Sequence, residues 1–229
     1  MSENREGTER VVEFLLQRAM DRGRSCEHRA QALQALRSMI VAPEIALAQL
    51  PRLRAILAET HAPLRLEGAR TIAKLAGMRG DLPDVAPVIN EIAQWQSLAD
   101  GPQDIRCELL EHLERLSYFP VEAPLAPEVR LAWVQNTRQI LPALLDSDEK
   151  VRTHAQRCLL NMSGRGLVSV EHRAEIAKVL CGPYPDSRSC ALTLMTTFGE
   201  CATEYLDSII AQLWDERTVS PALSVLKML

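Results

Sequence analysis

Three adjacent Glu-His pairs, Glu27-His28, Glu111-His112 and Glu171-His172, are the residues in this chain with the most obvious chemistry. Carboxylate and imidazole together suit a divalent metal, provided several such ligands meet in space with a fixed geometry. Cys201 lies near an expected helix start, where a thiol pKa can fall. Five arginines, Arg29, Arg65, Arg106, Arg152 and Arg188, could form a row of anion-binding guanidiniums. No G-x-S-x-G, P-loop or H-E-x-x-H motif is present, and Gly164-Arg165-Gly166 has no strand before it to shape a phosphate loop.

Whether any of these groups converge depends on the elements that carry them. Apolar residues follow a helical period almost throughout, with no sustained strand-like alternation. The five arginines are spaced 36, 41, 46 and 36 residues apart and share one hydrophobic frame. Three residues after each come Ala32, Gly68, Leu109, Ala155 and Ala191. Seven after come Leu36, Ile72, Leu113, Leu159 and Met195, and ten after come Met39, Leu75, Leu116, Met162 and Phe198. These positions make one helical stripe, because 3.6 residues complete a turn. A period of this size marks a stacked repeat in which each unit buries its apolar face against the next.

The frame predicts helix pairs, each with a first helix A and a second helix B that holds the arginine. The A helices are expected at 8–21, 43–58, 84–98, 127–145, 170–181 and 201–214. The B helices are expected at 26–40, 63–77, 103–117, 149–163, 186–199 and 217–229. Pro43-Glu44 and Pro127-Glu128 place proline and an acid in a first turn, where both are favoured. Ser169, Asp148 and Asp186 are expected as caps. Residues 1–7 read as a flexible lead and 8–229 as a single domain.

The stretch Leu141-Pro142-Ala143-Leu144-Leu145-Asp146-Ser147-Asp148-Glu149-Lys150-Val151-Arg152, followed by Ala155, Leu159 and Met162, is similar to the HEAT-repeat family. The resemblance covers roughly residues 8 to 229 and implies an all-α, right-handed α-solenoid of about six helix pairs. It also implies a structural ladder of aspartate and arginine between adjacent repeats. An acid stands six residues before the arginine in three copies: Glu59 with Arg65, Asp100 with Arg106, and Asp146 with Arg152. Gly23 and Gly182 occupy that place before Arg29 and Arg188, so the ladder is expected to be incomplete at both ends.

The same frame separates the Glu-His pairs. They fall one before Arg29, five and six after Arg106, and inside an A helix. The helical-repeat iron enzyme family of deoxyhypusine hydroxylase uses His-Glu pairs placed symmetrically in its repeats; here the order is reversed and the symmetry is missing. No metal or cofactor is expected. A HEAT-like DNA glycosylase is the main enzyme alternative, with Asp100 or Asp104 as its acid and the three tryptophans against bases. The net charge of −4, with Glu108, Glu111 and Glu114 on one B helix, argues against a phosphate backbone as ligand. A helical-repeat lyase or metal-dependent hydroxylase is the third reading.

A non-catalytic scaffold, adaptor or regulatory subunit is therefore the functional expectation, with a protein partner in helical or extended form. Positions two, five and nine after each arginine should face the partner. They include Glu67, Arg70 and Lys74; Glu108, Glu111 and Arg115; and His154, Arg157 and Asn161. Cys190, Thr193 and Thr197 continue that face in the fifth copy. Tyr118 and Phe119, in the long connection Ser117–Pro127, are a second candidate surface. The apolar carboxy-terminal helix is a third, suited to subunit docking, to self-association, or to the continuation of a longer solenoid. The start of the chain has no apolar h-region, no run is long enough to span a membrane, and six cysteines form no C-x-x-C pair. A cytoplasmic protein with reduced thiols is expected.

Overall fold

The structure, a computed structural model, describes residues 2–39, 41, 43–77, 79, 81–96, 102–119 and 124–229. Among these residues the regular structure is entirely helical. The helices are α1 (Ser2–Met20), α2 (Cys26–Ser38), α3 (Pro43–Arg54), α4 (Ala62–Ala76), α5 (Ala86–Gln96) and α6 (Gln103–Leu116). They continue as α7 (Pro127–Ile140), α8 (Glu149–Ser163), α9 (Arg173–Leu180), α10 (Pro185–Met195), α11 (Leu206–Ala211) and α12 (Val219–Leu226). The backbone expected as a flexible lead is helical, since α1 begins at Ser2.

Local chemistry sets most boundaries. Ser25 accepts from the backbone N–H of His28, and Asp148 accepts from that of Val151, which satisfies orphan donors at the starts of α2 and α8. Ser169 does the same for the turn that leads into α9. Pro43 and Pro127 begin their helices as the sequence predicts. Asp186 is not a cap: Pro185 supplies the first helical φ, so Tyr184 takes the cap position and Asp186 falls in the first turn.

Packing makes this an all-α repeat solenoid. The even-numbered helices stack in sequence, α2 on α4, α4 on α6, α6 on α8, α8 on α10 and α10 on α12. The odd-numbered helices form the second layer, with α5 against α7 and α9 against α11. The recurring apolar stripe lies in the seam. All of its fifteen residues are buried except Met39 and Leu75, which are half-buried against the same core. Gly68 shows why small residues recur three after the arginine: a Cβ there would stand 2.8 Å from Cγ2 of Ile56. No helix among the described residues is long and apolar enough to cross a membrane.

Candidate functional site

The five arginines join the repeats, and each reaches forward. Arg29 donates from Nη2 to Glu59 Oε1 at 2.8 Å and from Nε to the Ala19 carbonyl at 2.8 Å. Arg65 donates from Nε to Glu91 Oε1 at 3.0 Å. Arg106 grips Asp146 with two bonds, Nε to Oδ2 at 3.0 Å and Nη2 to Oδ1 at 3.2 Å. Arg188 pairs with Asp215. The remaining donor holds the arginine's own turn: Arg65 Nη1 bonds the Glu59 carbonyl at 3.1 Å, Arg152 Nη1 that of Asp146 at 2.9 Å, and Arg188 Nη1 that of Gly182 at 2.9 Å.

Glu59 and Asp146, acids six residues upstream, are therefore each bonded by their own arginine through the carbonyl and by the preceding repeat's arginine through the carboxylate. Arg65 instead reaches forward to Glu91. This corrects the expected gaps. Arg29 and Arg188 both have carboxylate partners, because a missing acid unpairs the arginine before it. Gly182 leaves Arg152 without one, and the Arg152 guanidinium lies over the Tyr184 ring at 3.7 Å instead. Asp100 lies outside the described residues. The Arg29 guanidinium holds the Glu59 carboxyl below its ordinary pKa, outweighing burial. The backbone N–H of Arg217, aided by Arg188, does so for Asp215.

A second set of bonds runs along the inner face, the surface formed by the even-numbered helices. Glu67, two after its arginine, is buried with 4% of its surface exposed, so this column lies in the seam rather than in solvent. Arg37, eight after Arg29, reaches Glu67 at 3.2 Å and crosses α4 to Glu108 at 2.6 Å. Arg70 also holds Glu108 and lies 3.4 Å from Glu67. The same offset recurs where Glu114, eight after Arg106, meets His154, two after Arg152, at 2.5 Å. Glu114 also lies 3.5 Å from Arg157. Asn161 donates to Ser117 Oγ at 3.0 Å, while Arg115 pairs with Glu111 on its own helix. In the fourth interface these two columns hold Leu160 and buried Cys190. Burial raises the Cys190 thiol to about 12, which corrects its placement on the exposed face.

Glu108 is the hub of this network. Burial opposes its ionisation, but the guanidiniums of Arg70 and Arg37 outweigh it and keep the carboxyl below its ordinary pKa. His112 lies beside it, with Nε2 3.5 Å from Glu108 Oε1 and neither ring nitrogen in a good hydrogen bond. Burial depresses this imidazole to about 4 despite the pull of Glu108. Glu67, Arg70, Glu108, Glu111, Arg115, His154, Arg157 and Asn161, most of the expected partner-facing set, are thus engaged within the chain. Lys74, Arg157 and Tyr118 remain exposed, whereas Phe119 is buried edge-on against Trp133 with centroids 6.1 Å apart.

Two of the grooves among the described residues lie at opposite ends of the α6–α8 pair. One, of about 540 Å³, is lined by Gln103, Asp104, Cys107, Glu108, Glu111, Asp148 and Lys150; Glu108 and Glu111 are paired with arginines, which leaves Asp104 and Asp148 against Lys150. The other, of about 480 Å³, lies at the carboxy ends and is lined by Ser117, Tyr118, Phe119, Leu160, Asn161, Gly164 and Arg165. The three Glu-His pairs do not assemble. His28 is exposed and bonds Ser25 Oγ, His112 sits inside α6, and His172 is buried in the turn before α9. Among the described residues no group of three or more His, Cys, Asp or Glu side chains is placed to hold a metal.

Sequence reasoning missed Arg37, Glu91, Tyr184 and Asp215. Only Asp215 had a signal within reach. It stands 27 residues after Arg188, the counterpart of the 30 from Arg29 to Glu59, in a sixth copy that has kept the acid and lost the arginine.

No family model matches the sequence, and no curated protein matches it. Solved structures do. A designed armadillo repeat protein in complex with the peptide (KR)4 aligns with a TM-score of 0.63 at 12% identity, over 95% of this chain and 98% of that one. A second designed armadillo repeat protein gives 0.61 at 11%, covering 95% and 99%. An engineered protein of the Northeast Structural Genomics Consortium gives 0.61 at 14%, covering 94% and 95%. At such identities the likeness concerns the fold, an armadillo-like all-α repeat solenoid.

Proposed function

We propose that the chain is a HEAT-type solenoid acting as a non-catalytic scaffold, adaptor or regulatory subunit, and that it takes a helical or extended partner segment along α6 and α8. The observation that carries this reading is the pair of open grooves at the two ends of one helix pair, acidic at one end and aromatic at the other. Each falls within the range of a ligand-binding cleft, about 300 to 1,000 Å³, and so has room for more than one side chain of a partner segment. The 14 residues of α6 span about 21 Å, so an extended segment of roughly six residues covers both grooves. Basic side chains suit the acidic end, and a large apolar side chain suits Tyr118 and Leu160. The solved neighbour that holds (KR)4 supports the reading of the acidic end, as a protein of similar fold bound to a basic peptide.

The test is affinity capture with mass spectrometry, using wild-type protein and the double variant Glu111→Lys/Tyr118→Ala as baits. Specific partners should be depleted about tenfold or more on the variant, since both substitutions strike exposed or half-exposed groups. Equal recovery on a folded variant would remove α6 and α8 as the binding face.

A further inference from the structure

Arg37 makes a contact that the stacking of neighbours does not require. It sits on α2, yet its Nη1 donates to Glu108 Oε1 on α6 at 2.6 Å, across the intervening α4. The bond therefore joins the first repeat to the third, whose helices α2 and α6 each pack on α4. The bend of a solenoid follows from the small rotation between successive repeats, so a bond that skips one repeat fixes two rotations together. Glu108 Oε1 is crowded. Arg70 donates to it from Nε at 3.1 Å and holds Oε2 through Nη2, and His112 Nε2 stands 3.5 Å from the same Oε1. A carboxylate oxygen has two lone pairs, and the two guanidiniums already use both.

The charges around His112 balance without the ring, which is only 6% exposed. Glu67 and Glu108 face Arg37 and Arg70, and Glu111 pairs with Arg115. Among the other groups on packed elements, Glu91 of α5 is held by Arg65, His154 and Arg157 of α8 share Glu114, and Lys74 of α4 is exposed. A proton on Nε2 therefore adds an uncompensated buried charge and a third donor at Oε1. We propose that Arg37 is a strap that sets the bend of the first three repeats, and that a proton on His112 releases it. Arg37 is the donor that yields. Arg70 keeps Glu108 through Oε2 from the adjoining helix, whereas Arg37 has Glu67 3.2 Å away to fall back on. The imidazolium then donates to Oε1 in its place. Burial holds the ring at about 4 in the strapped form, and release returns it towards its ordinary 6.5. The strap is thus intact above pH 6.5 and progressively lost towards pH 4. Between about pH 7.5 and 4.5 the ratio of released to strapped chains rises by up to about seventyfold.

Double electron–electron resonance on the full chain tests this, with spin labels attached through non-natural amino acids at the exposed positions of Gln34 on α2 and Asp104 on α6. Lowering the pH from about 7.5 to 4.5 should shift the distance distribution of the otherwise wild-type chain, at unchanged helical circular dichroism. Arg37→Gln should show the acid distribution before any acid is added. His112→Leu and His112→Gln should both keep the neutral distribution throughout. A wild-type distance that ignores pH overturns the proposal, as does an Arg37→Gln chain that matches wild type at neutral pH. A shift that survives both His112 substitutions overturns it by assigning the release to carboxylates. A shift that comes only with loss of helicity overturns it as well, since that is unfolding.

Discussion

Along the inner layer of even-numbered helices the interfaces between repeats one and four are joined by charge, whereas the α8–α10 contact between repeats four and five has no ion pair among the described residues. That boundary carries its Arg138–Glu175 pair on the outer layer. In the first group Arg29 meets Glu59, Arg106 meets Asp146, and the Arg37, Arg70, Glu67 and Glu108 cluster ties α2, α4 and α6 together. In the second, Gly182 stands where an acid would, Tyr184 receives Arg152, and the inner columns hold Leu160 and Cys190. One chain thus closes the same seam in two ways. A charged seam depends on every partner being present, because removing one member leaves the others buried and uncompensated. An aromatic and apolar seam loses only the contacts that are deleted.

The sharpest way to break this contrast is Glu108→Ala. It leaves Arg37 and Arg70 to share the single carboxylate of Glu67, and urea unfolding should show a loss of about 3 kcal/mol. A loss below about 0.5 kcal/mol would mean that the cluster does not join the repeats.

Acid should do related damage through His112. Its folded pKa of about 4 lies below the ordinary 6.5, so the unfolded chain binds the proton more readily. Stability should fall as pH drops from about 6.5 towards 4, by roughly 2–3 kcal/mol from this group. Protonation of Glu108, held low by Arg70 and Arg37, adds a further loss on the acid side. Unfolding curves from pH 7 to 4 should be clearly flatter for His112→Leu; an equal slope would show that the imidazole does not contribute.

The smallest effect separates the two kinds of seam directly. Arg106→Ala should cost about 2 kcal/mol and Arg152→Ala about 1 kcal/mol, since a half-buried bidentate pair exceeds a cation–π contact. Added salt should narrow that difference, because it screens the Arg106 pair more. If Arg152→Ala proved the costlier change, the aromatic seam would be the stronger join.

Much of the fold was legible because it is written locally. Pro43, Pro127, Asp148 and Ser169 mark helix starts through bonds to their own or neighbouring residues, and the apolar stripe follows from the helical period alone. The site was less legible. Which arginine meets which acid depends on how far one helix pair is offset from the next, and the 36-to-46-residue spacing does not encode that offset. Glu67 and Cys190 were placed on the open face by periodicity, yet a neighbouring helix covers that edge of the stripe. Arg37 was overlooked because it acts across α4, and no count along a single repeat would connect it with Glu108, 71 residues away.

The ring of Tyr184 beneath Arg152 also bears on how the molecule comes apart. Repeat arrays need not unfold as a unit; they can open at whichever boundary conditions weaken most. Brine or acid loosens boundaries that rest on carboxylates, whereas a guanidinium on a phenol ring has no carboxylate to screen or protonate. On the inner layer Gly182 therefore sets an order of failure, in which α8 and α10 keep their contact while the charged contacts beside them part. The outer Arg138–Glu175 pair is what acid or salt can still take from that boundary.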